Sequence, residues 1–159
     1  MKIGNGPLNI SMIGFSDNGE FSIPKLKELA KATLDFHPLG DIFNIDYIES
    51  KSNEDYFKFL WLDKGLKLKK DLDIIAIIKN TELPRYDRGN IVYSHMDPAI
   101  LAHELGHALR LKHFSINCCI YHYDKVDCPY LEYIMCSVRN DIKGFSPENI
   151  EKLEKWYLK

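Results

Sequence analysis

The chain has 159 residues, which at roughly 100 to 200 residues per domain favours one domain and leaves no room for two large ones. Its composition, 45% hydrophobic, 12% aromatic and 28% charged, is too apolar for a disordered chain and is that of a folded core. With 21 Lys plus Arg against 23 Asp plus Glu the net charge is -2, so no bulk positive field gathers nucleic acid or an anionic membrane. The longest apolar run, Ile74 to Ile78, is strand-sized and far short of the roughly 18 residues of a membrane span. Gly4, Gly6 and Pro7 interrupt any hydrophobic leader, so a cytoplasmic location is the expectation, and reduced cysteines with it.

Leu8 to Phe15 alternates as a strand does, and Asp17-Asn18-Gly19 is turn chemistry. A helix follows, with Ser22 as its cap and Pro24 in its first turn. Leu26, Leu29, Ala30 and Thr33 form its inner face, and His37-Pro38-Leu39-Gly40 ends it. Ile42 to Ile48 reads as a second strand and Asn53 to Leu62 as a short helix. Leu72 to Ile78 is nearly all branched and apolar, as in a strand covered on both faces and central in its sheet. Thr81 to Asn90, with Pro84 and Gly89, reads as an exposed loop before a short strand, Ile91 to Ser94. Asp97 and Pro98 then begin a helix whose stripe is Ala102, Leu105 and Leu109. From His113 to Asn140 the chain looks irregular. Ser146-Pro147-Glu148 starts a last helix, with Phe145 and Ile150 placed to staple it.

The residues that carry chemistry are His103-Glu104-Leu105-Gly106-His107, an H-E-x-x-H pattern. One helical turn separates the two histidines, so both imidazoles can reach one ion about 2.0 to 2.1 Å away. Glu104 is rotated off that line and suits a general base acting on a metal-activated water. With 6 His and 10 Glu in 159 residues such a match arises by chance in about 1 chain in 70. His113 at its fixed offset lowers that to about 1 in 2,000 and would complete a three-histidine zinc site with an open position. A continuous helix would turn His113 about 240° away from His107, so the helix must end near Arg110.

The stretch His103 to His113 resembles the signature H-E-x-x-H-x-x-G-x-x-H of the metzincin clan of zinc metallopeptidases, with Arg110 where the clan usually has Gly. Tyr133-Ile134-Met135-Cys136-Ser137 is similar to the clan's methionine turn, which implies Met135 as an apolar floor beneath the imidazoles. Ser137 fills the slot where some members carry a tyrosine, so no tyrosine role is transferred. The resemblance is specific from about Asp97 to Ser137. Archaemetzincin- or matrixin-like short members are nearest in length, although Phe114 stands where archaemetzincins usually have Cys and the later C-x-x-C is absent.

The resemblance implies one α+β, zincin-like metallopeptidase catalytic domain over residues 1–159. A mixed twisted sheet and two main helices, one carrying the HExxH residues, form an upper part to about residue 109. An irregular lower part from about 110 ends in the C-terminal helix. It further implies zinc-dependent hydrolysis of a peptide or protein substrate, with Ile91, Val92, Tyr93 and Ser94 as the edge strand that pairs with it. Two other readings stay open: a zinc-stabilised binding or regulatory protein of the same fold, and a gluzincin-like peptidase with a later carboxylate ligand such as Glu132. Cys118, Cys119, Cys128 and Cys136, with His122 nearby, match no strong zinc spacing. Buried thiols or one disulfide are the plainer alternatives to a second, structural zinc there. His37 and His95 read as surface or turn residues, and Lys67, Lys69 and Lys70 as a solvated face.

Overall fold

The computed structural model describes residues 8–16, 20–50, 74–79, 85–87, 91–113, 133–136 and 144–158. The helix expected at 53–62, together with Glu132, Ser137, His122, Cys118, Cys119 and Cys128, lies outside them. Strands β1 (Leu8–Phe15), β2 (Phe43–Ser50), β3 (Ile74–Ile78), β4 (Arg85–Asp87) and β5 (Ile91–Ser94) form one sheet in the order β2-β1-β3-β5-β4. All neighbouring pairs run parallel except β4 with β5, so the sheet is mixed as expected. Helices α1 (Ile23–Leu34), α2 (Pro98–Ala108) and α3 (Pro147–Tyr157) complete an α+β fold.

The alternation of side chains along a strand divides the buried residues between two faces. Leu8, Ile10, Met12, Ile74, Ala76, Ile78 and Val92 join the core shared with the helices, whereas Ile13, Phe15, Ile75, Ile77 and Tyr93 cluster separately. All five residues of β3 are buried, which is why that strand has no polar position. Helix α1 turns Leu26, Leu29, Ala30 and Thr33 inward, and Thr33 satisfies its buried hydroxyl by donating to the Leu29 carbonyl. Ser22 sits at the cap without a side-chain bond there; the Ile23 N–H instead donates to Glu49 Oε1 of β2 at 2.9 Å. The helix start is thereby tied to the strand it leads into.

Three expectations change. The segment read as a loop from Thr81 to Asn90 contains β4, which pairs Arg85, Tyr86 and Asp87 with Tyr93, Val92 and Ile91. Ile91, Val92, Tyr93 and Ser94 therefore do not form an edge strand, because β3 bonds one side of β5 and β4 the other. The edge on this side of the sheet is β4. His37, expected at the surface or in a turn, does lie in the turns after α1 but is only 7% exposed and packs edge-on against Phe43 and Phe145. Its Nδ1 accepts from the Leu39 N–H at 3.1 Å, while its Nε2 has no hydrogen-bond partner among the described residues.

Burial pushes the His37 pKa from 6.5 down to about 3. The unfolded imidazole therefore takes up a proton near pH 6.5 that the folded one refuses until about pH 3. This share of stability is complete above pH 6.5 and is lost as pH falls through that window, at up to about 1.4 kcal/mol per pH unit. Urea unfolding in the presence of chelator should show a shallower loss between neutral and acid pH for His37→Phe than for wild type. Identical losses would contradict this assignment.

Candidate metal centre

Helix α2 is positioned by its N-terminus: Asp97 Oδ1 accepts from the N–H groups of Ala99 at 2.9 Å and Ile100 at 3.3 Å, and Pro98 occupies the first turn. Leu101, Ala102, His103, Glu104, Leu105, Gly106 and Ala108 are all buried, so this helix lies inside the fold with almost no solvent face. Its C-terminal end decides the site. Arg110 has a φ of 76°, the left-handed region. Arg110 N–H donates to the His107 carbonyl at 3.0 Å and Leu111 N–H to the Gly106 carbonyl at 2.9 Å. This is the double-bonded helix stop usually built on glycine, here built on arginine. The Tyr157 hydroxyl of α3 reaches the same turn, donating to the Leu109 carbonyl at 3.1 Å.

The turn brings His113 back over the helix. The Nε2 atoms of His103, His107 and His113 lie 3.1 Å apart in all three pairs. Ligands 2.0 to 2.1 Å from a tetrahedral ion are separated by about 3.3 Å, so the triangle would fit zinc. Two of the three imidazoles are oriented by backbone carbonyls. His103 Nδ1–H donates to the Ile134 carbonyl in a short contact, and His107 Nδ1–H donates to the Leu111 carbonyl at 2.9 Å. With those protons on Nδ1, each Nε2 presents a lone pair to the centre, the arrangement a metal-ligating histidine needs. Burial pulls all three pKa values down, that of His103 to about 4, which keeps the rings neutral at pH 7. Among the described residues this is the one His, Cys, Asp or Glu group whose ligand atoms converge on a point.

Glu104 lies beside the triangle and is 7% exposed, its Oε1 4.0 Å from His103 Nε2. Burial raises its carboxyl from 4.5 to about 7, so near neutral pH it can both take and return a proton. Beside His103, Tyr133–Cys136 forms a tight turn in which Cys136 N–H donates to the Tyr133 carbonyl. Met135 in that turn is fully buried, its sulfur against Gly106. The turn thus meets α2 at two places, through the Met135 sulfur at Gly106 and through the Ile134 carbonyl on His103.

The sequence reading passed over Gly106, whose signal was present: a glycine inside a helix costs about 1 kcal/mol relative to alanine and needs a packing reason. Cys136 is disulfide-bonded, with its partner outside the described residues. This corrects the expectation of reduced thiols and removes the Cys136 sulfur from any second zinc site.

Mixed sheet, buried HExxH helix and histidine triangle together make a metzincin-like zincin fold. The structure is similar to that of the archaemetzincin from Methanopyrus kandleri, with a TM-score of 0.52 and 13% identity over 93% of this chain and 94% of that one. It is also similar to metalloproteinase-II from Bacteroides fragilis, with a TM-score of 0.51 and 17% identity over 96% of this chain and 54% of that one. No protein-family model and no curated protein matches the chain in sequence.

Two substitutions test this geometry. In Gly106→Ala the new methyl collides with the Met135 sulfur and lies 3.2 Å from its methyl carbon. Overpacking of this kind should cost about 1 to 3 kcal/mol despite the better helix propensity of alanine. Met135→Ala in the same chain should recover part of that loss, and strictly additive unfolding energies would refute the contact. Arg110→Gly should raise the unfolding free energy by about 1 kcal/mol by removing left-handed strain. A clear loss of stability would show that the arginine side chain contributes more than its backbone costs.

Proposed function

We propose that the chain is a zinc-dependent peptidase in which His103, His107 and His113 hold the metal, Glu104 is the general base and Met135 is the apolar floor. The observation that carries this reading is the joint placement of three neutral imidazoles on one point with a proton-exchanging carboxylate beside them. A bound zinc supplies Lewis-acid polarisation of a scissile carbonyl and acidification of a water. Glu104 then accepts the water proton at its carboxylate oxygen and delivers it to the leaving amine nitrogen, so one group serves as base and then as acid. Its pKa of about 7 suits both halves of that cycle. A zinc site kept for stability alone would have no use for a buried carboxylate at this position.

The substrate-pairing role moves from Ile91–Ser94 to β4. The backbone of Arg85–Asp87 is bonded to β5 on one side, and among the described residues no strand pairs its other side. An extended peptide adding there would gain main-chain hydrogen bonds with little demand on its sequence. Among the described residues no helix is long and apolar enough to cross a membrane.

Glu104→Ala should retain about one zinc per chain by elemental analysis while cleavage of an unfolded protein falls by about two to four orders of magnitude. His107→Ala should lose the metal, and His113→Ala should bind it more weakly. Undiminished turnover in the glutamate variant would remove Glu104 from the mechanism, and full zinc in the His107 variant would remove the site itself.

A further inference from the structure

A cavity of about 480 Å³ opens between the His113 turn and α3. His113 forms part of its wall, so the cavity and the metal centre share one imidazole. Arg110 and Lys112 enter it from the turn, and Asn149, Lys152 and Trp156 from α3. Glu148 is the one acidic residue among the described lining, against three cations. Among the described residues no ion pair engages Arg110, Lys112 or Lys152. Cations without an ion-pair partner on one cavity wall are complementary to an anion with oxygen acceptors.

Arg110 adds an independent observation. It holds a left-handed conformation that glycine would adopt without strain, and its exposed side chain lines this cavity. Strain retained at one residue beside a cationic cavity is accounted for if that side chain has a ligand. We infer that the cavity is a carboxylate-binding subsite of the substrate cleft, and that the preferred peptides carry an acidic side chain or a free C-terminal carboxylate close to the scissile bond. This rests on reading the triad as a peptidase centre.

The test uses the zinc-loaded Glu104→Ala chain, which should bind peptides without turning them over. Isothermal titration compares otherwise identical peptides with Glu or Gln at each of the three positions either side of the scissile bond, and each as free acid and as amide. One carboxylate-bearing peptide should bind about tenfold tighter than its neutral partner, since a charge-assisted contact is about that strong. That advantage should fall at least about threefold with Lys152→Gln added and shrink with added salt. Whether the Glu peptide or the free acid carries the advantage distinguishes side chain from chain terminus. Equal affinity of all the peptides, or an advantage indifferent to Lys152→Gln, would overturn the subsite and leave the peptidase reading intact. Lys152-dependent binding of a peptide that the wild-type chain never cleaves would keep the subsite and overturn the peptidase reading.

Discussion

The reversal of the chain at Leu109–Leu111 is the constraint on which the site depends. Without it His113 would point about 240° away from His107, and two imidazoles would have no third. The reversal also accounts for its own neighbours. The N–H groups that close it end on the Gly106 and His107 carbonyls, and the Leu111 carbonyl it turns inward fixes the His107 tautomer. The same few peptide units thus end the helix, bring in the third imidazole and orient the second. Tyr157, 48 residues further on, donates to the Leu109 carbonyl, so the last helix holds the turn from outside.

Burial is the second organising cause, and it acts with opposite chemical effect on the two kinds of group. It disfavours charge, so it lowers the imidazoles and raises the carboxyl. Three rings are kept neutral, as ligation of a cation would require, and one carboxyl becomes able to exchange a proton near neutrality. Both results follow from threading α2 through the interior, which its apolar composition and the all-buried β3 require. The same packing brings the three Nε2 atoms to 3.1 Å from one another, a spacing that suits the ligand edge of a tetrahedral metal site.

Much of this was legible in the sequence because the controlling patterns are local. β1 runs from Leu8 to Phe15 as its alternation predicts, and all three helices begin where a cap residue and a proline mark them. The end of α2 followed from the position of His113 alone. Contacts between distant segments carry no local pattern, and those were missed. β4 is three residues long, too short to show alternation, and exists because β5 offers it an edge. His37 is buried because Phe145, more than a hundred positions away, closes over it. The disulfide state of Cys136 likewise depends on which cysteine the fold brings near.

The likeness to known structures extends along almost the whole chain at 13 to 17% identity, so what is shared is the backbone path. A backbone path does not specify a reaction, and the case for hydrolysis rests on the side chains gathered at one point. Arg110 shows how the two are connected. Where the metzincin signature has glycine, this chain keeps the left-handed turn with a residue that disfavours it, because the two backbone hydrogen bonds and the Tyr157 hydroxyl together define the geometry. Glycine is thus one means to that turn. Once the surroundings fix the backbone, the side chain at this position is free to be chosen for what it meets in the cavity beside His113.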